Sequence, residues 1–203
     1  MTGVTALVES DLHGFLKRVG SAFLLNQGCF LVETEVPLCR FGQTMLHDLD
    51  CHRVIDVCGV GERFFRLGDA GDELGPGDYE VARNILRGIE VKVSRSDFRN
   101  GFVCTACNYN YLLTPMRLVA PWEVPRGVGL VEYNRYKFDA ELDEEGCFRF
   151  RGLRVVRRPS FRRISCFQVD NATSCIARRM NGRGQGPLLQ DLLQAHADLG
   201  YGH

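Results

Sequence analysis

Residues 85–93 read Ile-Leu-Arg-Gly-Ile-Glu-Val-Lys-Val, and residues 94–98 continue Ser-Arg-Ser-Asp-Phe. The first nine form an apolar run rich in β-branched residues, which predicts a buried strand. Ser94, Ser96 or Asp97 then caps a helix expected over residues 97–106, with Gly101 inside it. In a strand, residues two apart share a face, so Glu90 and Lys92 point the same way. Ile89, Val91 and Val93 point the other way, into a core. A carboxylate and an ammonium side by side on a sheet are costly if buried and weak if exposed. A Glu-x-Lys tripeptide arises by chance about once in a chain of this size. By itself it reads as an edge-strand ion pair.

Context changes that reading. Residues 53–60 (Arg-Val-Ile-Asp-Val-Cys-Gly-Val) predict a second apolar strand, interrupted by Asp56 and ended by a turn at Gly59 to Gly61. Aspartate is depleted in strand interiors, so an acid there is a ligand or a satisfied core polar group. If the two strands pair, Asp56 and Glu90 converge on one divalent cation. Two carboxylates, a backbone carbonyl such as that of Val91, and waters form a natural shell for Mg²⁺ or Mn²⁺. Lys92 would then orient or help deprotonate a water, or stabilise charge on a phosphate. Asp48 and Asp50 lie close by and compete with Asp56 for the role.

Working outward, Ser10 or Asp11 caps a helix to about residue 27, with Leu12, Phe15, Leu16, Val19, Phe23 and Leu24 at helical spacing. Gly28 ends it, and residues 28–37 alternate as a strand. Phe30, Val32, Thr34 and Val36 share one face of that strand, and Cys29, Leu31, Glu33 and Glu35 the other. Residues 62–67 read as a hairpin return, and 68–80 as a loop rich in Gly and acid. Residues 109–114 and 127–133 are two more strands. The mixture predicts an α/β fold, a central mixed β-sheet flanked by helices. The core is expected over residues 1–133. Residues 134–203 form a C-terminal extension, arginine-rich and helical. In it, five acids run over 139–145 and seven arginines over 149–163; either the two stretches pair in a hairpin through Gly146 or the arginines meet phosphate, and helices are expected at 161–180 and 187–199.

An Asp-bearing strand, then a Glu-x-Lys strand, then a helix resembles the PD-(D/E)xK nuclease superfamily. The run over residues 90–98 is similar to that of MmcB-like DNA-repair nucleases and their phage-borne relatives, where Glu-x-Lys-x-Ser-x-x-Asp-Phe opens the next helix. Residues 108–114 and 124–130 resemble the two strands that follow. The resemblance covers about residues 10–133. It implies a restriction-endonuclease-like fold and metal-dependent cleavage of phosphodiester bonds in DNA. It implies Asp56 and Glu90 as metal ligands beside the Val91 carbonyl, and Lys92 as the water-activating residue. Glu9, Glu33 or Glu35 would supply an extra acid. Two features depart from the pattern: the Asp56–Glu90 gap is long, and Ile55 precedes Asp56 where the motif has proline.

The 203 residues are 45% hydrophobic and 25% charged, with formal net charge zero. No global basic field draws this chain to nucleic acid, so any such binding comes from a local patch. Arg95 and Arg99, and Arg157, Arg158, Arg162 and Arg163 among interleaved phenylalanines, are the candidates for phosphate contact. Their alternative fates are solvated surface and pairing with the acidic stretch. Only Lys17, Lys92 and Lys137 are lysines against 22 arginines. A lysine at 92 therefore stands out, since Lys alone is a compact charge that can lose its proton when buried. Ser94 shares the Glu90–Lys92 face, which permits a supporting role beside capping. His52 is a proton-shuttle candidate or a polar residue before the strand. Cys104 and Cys107 have zinc-ligand spacing but no second pair; His47, Cys51 and His52 are the distant alternatives, and small apolar thiols the simpler reading.

Nine cysteines, with no basic or long apolar stretch over residues 1–10, predict a cytoplasmic protein with reduced thiols. No apolar run approaches the ~20 residues that span a bilayer. A homodimer would suit cutting of both strands. The alternative function is a catalytically inactive nuclease-fold module that binds nucleic acid or a protein.

Overall fold

The computed structural model describes residues 10–38, 53–66, 79–101, 105–179 and 185–201. Glu9, His47, Asp48, Asp50, Cys51, His52, Cys104 and the acidic loop over 68–78 lie outside these residues.

Helix α1, Asp11–Asn26, starts where Ser10 accepts the His13 N–H on its side chain. It buries Phe15, Leu16, Val19, Phe23 and Leu24. A Cβ on Gly20 would come within 3.2 Å of both Val57 and Ile89, so glycine lets the helix settle close on the sheet. Gly28, at φ 82, turns the chain into β1, Cys29–Leu38.

Strand β2, Arg53–Arg66, runs antiparallel to β1 and to β3, Tyr79–Val91. In place of the hairpin partner expected at 62–67, residues 62–66 continue β2. Gly59 and Gly61 are not turn residues. A Cβ on Gly61 would lie 2.0 Å from the Gly28 carbonyl oxygen, so glycine is there to admit the neighbouring backbone. The alternation expected in β1 also breaks. A bulge between Cys29 and Leu31 and a left-handed Glu35, φ 54, leave Phe30 exposed and Glu33 buried.

After β3 comes α2, Arg95–Asn100, six residues capped by Ser94. The helix expected to reach 106 stops early because Gly101 is already extended, with φ −91 and ψ 154. Strands β4, Tyr109–Pro115, and β5, Gly129–Tyr133, then run parallel to β3. Every residue from Tyr109 to Thr114 is buried, as in a strand covered on both faces.

The hairpin through Gly146, φ 77, forms as expected from β6, Asp139–Leu142, and β7, Phe148–Arg151. Strand β8, Leu153–Arg157, instead pairs antiparallel with β5. Among the described residues the sheet therefore has six strands in the order β1-β2-β3-β4-β5-β8, closed by a strand from beyond residue 133. Two further helices follow, α3, Cys166–Arg179, and α4, Gln185–His196, and the chain then kinks at Gly200, which is left-handed at φ 72.

The fold is α/β, a mixed central sheet flanked by helices. One apolar cluster joins α1 to Val57, Ile89, Val91, Tyr111, Leu113 and Leu192. A second joins Val169, Ala172 and Ile176 of α3 to Ile55, Val60 and Leu86. No helix among the described residues is long and apolar enough to cross a membrane.

Candidate functional site

The last β2–β3 ladder pair at one end is Val57–Ile89. Beyond it, β2 stays with β1 as far as Arg53, while β3 stays with β4 through Val91. The two strands part at Asp56 and Glu90, which the register places opposite each other. In place of the next ladder bond, the Val91 N–H donates to the Asp56 carboxylate at 2.8 Å. The fork thus holds two carboxylates on adjacent strands.

Lys92 lies beside them. Its ammonium donates to Glu90 at 3.1 Å and stands 3.5 Å from Asp97. Asp97 is fixed at the start of α2. Its N–H donates to Ser94 Oγ at 3.1 Å, and its carboxylate accepts from Val93 N–H at 3.2 Å. A Cβ on Gly101 would fall 2.5 Å from Lys92 Nζ, so the glycine that ends α2 also makes room for the ammonium.

On the other side, α1 contributes two residues one turn apart. Lys17 pairs with Glu35 and stands 3.6 Å from Asp56, and His13 Nε2 stands 3.6 Å from the other Asp56 oxygen. Lys17 is only 6% exposed, although it is a lysine on a helix.

The two acids titrate in opposite directions. Burial works against ionisation of Asp56. The hydrogen bond from His13, the Val91 amide and the charge of Lys17 outweigh it and hold the carboxyl below the usual carboxylate range. Burial pushes Glu90 up to about 7, the negative charge of Asp56 adds to this, and Lys92 only partly counters it. Among the described residues, Glu90 Oε2 is buried with no hydrogen-bond partner. A buried, unpartnered carboxylate oxygen beside a second acid is an arrangement a cation relieves.

Asp56, Glu90 and Lys92 are brought together, with the Val91 backbone at the same fork. Of the three auxiliary acids, Glu35 joins the cluster through Lys17, Glu33 accepts from its neighbour Thr34, and Glu9 lies outside the described residues. Ser94 acts as a cap.

The arginines divide. Arg95 grips Glu123 with two bonds of 2.7 and 2.8 Å. Arg157 donates to the carbonyls of Pro121, Val124, Pro125 and Val128, and Arg162 to that of Thr105. Arg99, Arg158 and Arg163 are exposed. Cys107 is a buried thiol. No group of three or more His, Cys, Asp or Glu side chains among the described residues is arranged to hold a metal ion, so a shell here would draw on two carboxylates, main chain and water.

Sequence reading missed His13 and Lys17. The signal was present, because Lys17 is one of three lysines in a chain that otherwise writes arginine.

No protein-family model and no curated protein matches the chain. Among solved structures it is similar to SPO1766, a protein of unknown function from Silicibacter pomeroyi, at 18% identity and a TM-score of 0.49, over 88% of this chain and 98% of that one.

Proposed function

We propose that this chain is a divalent-metal-dependent nuclease that hydrolyses phosphodiester bonds in DNA on a restriction-endonuclease-like core. The observation that carries the reading is Glu90, buried at a strand fork beside Asp56 with one oxygen unpartnered. The order α1-β1-β2-β3-α2-β4, with the Asp on β2 and Glu-x-Lys at the end of β3, supports the core assignment.

The donor set fits Mg²⁺ or Mn²⁺. Asp56, Glu90 and the Val91 carbonyl are hard oxygen ligands, and water completes such a shell. The ion, when bound, supplies Lewis-acid charge at the phosphoryl oxygens and lowers the pKa of water. Lys92 orients the attacking water and offsets charge gathering on the phosphate. Asp97 and Glu90 fix the ammonium in place, so little reorganisation accompanies reaction. Lys17 and His13 keep Asp56 ionised and ready as a ligand.

A second reading has one observation in its favour. Ammonium groups already stand against both carboxylates, as they would in a nuclease-fold module that binds nucleic acid or a protein without cutting.

The test is cleavage of labelled DNA by wild type and Lys92→Ala, in Mg²⁺ and in EDTA. Wild type is expected to cut in Mg²⁺ alone, and Lys92→Ala about 10²–10³-fold more slowly. Equal cutting by the two proteins ends the assignment of Lys92. DNA binding without cutting in either metal supports the second reading.

A further inference from the structure

Trp122 is the chain's single tryptophan and is 85% exposed. Tryptophan normally buries its ring, and a ring left in water on a floppy loop would be unremarkable surface. This loop is braced. Val119, Val124 and Val128 pack with Leu112 and Leu130 beneath it. Arg157 reaches across from β8 to the carbonyls of Pro121, Val124, Pro125 and Val128, at 2.6–3.2 Å. Arg95 of α2 clamps Glu123, next in sequence to Trp122, and bonds the Leu118 carbonyl at 3.0 Å. The backbone on either side of the ring is therefore fixed, and a ligand meeting the ring pays little entropy to order the loop.

Position and charge select the ligand. Strands β3, β4 and β5 are parallel, so their C-terminal ends share one edge of the sheet. That edge carries Glu90 and Lys92, and the Trp122 loop leaves from it. Residues of this loop on both sides of Trp122, Pro121 and Glu123, line a cleft of about 420 Å³ together with Arg95, Arg117 and Glu132. Arg117 holds a left-handed φ of 65, with its N–H on Glu132 at 3.0 Å, a strained conformation kept in a built site. Arg99, Arg126 and Arg154 add charge here: Arg99 acts on Glu123, Arg154 bonds Glu132, and Arg126 is in the loop. Arginines thus outnumber the two glutamates, which favours a polyanion over an apolar protein face. A base inside a duplex offers no free ring face.

We propose that Trp122 is a stacking platform for an unpaired base of single-stranded DNA flanking the scissile bond. The choice of ligand rests on the nuclease reading.

The lone tryptophan is its own reporter. In EDTA, where no cleavage is needed, a single-stranded oligothymidylate of about twelve nucleotides is expected to quench its emission saturably. Anisotropy of the labelled oligonucleotide should show Trp122→Ala binding about ten-fold more weakly, and Trp122→Phe within about three-fold of wild type. Binding that leaves the emission unchanged overturns the proposal. So do absence of binding, equal binding by Trp122→Ala, and emission that follows protein concentration alone, which would mark a protein contact. Quenching by a protein that never cuts supports the platform and defeats the nuclease. Cutting without quenching does the reverse.

Discussion

Glu90→Gln is expected to be more stable than wild type near pH 8 in metal-free buffer, by about 3 kcal/mol. The sign follows from the raised carboxyl. Glu90 has an ordinary value of 4.5 and is pushed up to about 7 in the folded chain. Below the ordinary value both states hold the proton, and Glu90 exacts no penalty. As pH climbs from there through 7, the unfolded chain releases the proton more readily, and that stability is lost. At about 1.36 kcal/mol for each pH unit, the span amounts to about 3 kcal/mol. Glutamine mimics the protonated acid and has no such loss. The advantage should therefore shrink toward zero as pH falls to about 5. Asp56, held low, contributes stability that is lost as pH falls, but it does so in both proteins. On the proposed metal site, Mg²⁺ should stabilise wild type and leave Glu90→Gln nearly unmoved, because an ion held by the folded acid pair alone favours the folded state. Urea unfolding across pH, with and without Mg²⁺, measures this. A variant less stable than wild type near pH 8 contradicts it.

Lys17→Met should destabilise the metal-free protein by about 3 kcal/mol, the lower end for breaking a buried ion pair. Lys17 is nearly buried, and its ammonium stands between Asp56 and Glu35. Methionine fills similar space but leaves the Asp56 carboxylate, 13% exposed, short of a counter-charge. Glu35 is half exposed and regains water, which keeps the cost from being larger. The double variant Lys17→Met/Asp56→Asn should recover most of the loss, because the orphaned charge is gone. Denaturant midpoints of the three proteins decide it. A single variant within about 0.5 kcal/mol of wild type would mean that Lys17 is a bystander.

Local pattern made much of this legible. Apolar runs located the strands, and the antiparallel meander puts Asp56 opposite Glu90 once β2 and β3 pair. Strand parity placed Lys92 beside Glu90. What could not be read depended on partners far away in sequence. His13 and Lys17 reach the fork only because α1 lies across β2 and β3. Arg95 looked free to meet phosphate, yet its partner Glu123 is 28 residues on. Gly61 looked like a strand end because a clash with Gly28 across the sheet is invisible to local pattern. Residues 153–157 carry no mark that they close the sheet against β5.

The proposed cleavage chemistry requires one divalent ion shared by Asp56 and Glu90. Crystals soaked in Mn²⁺ and examined at the manganese edge test this directly. The expected result is an anomalous peak coordinated by both carboxylates, lost in Glu90→Gln. A fork without a peak at saturating Mn²⁺, or with the ion bound by other residues, contradicts the account.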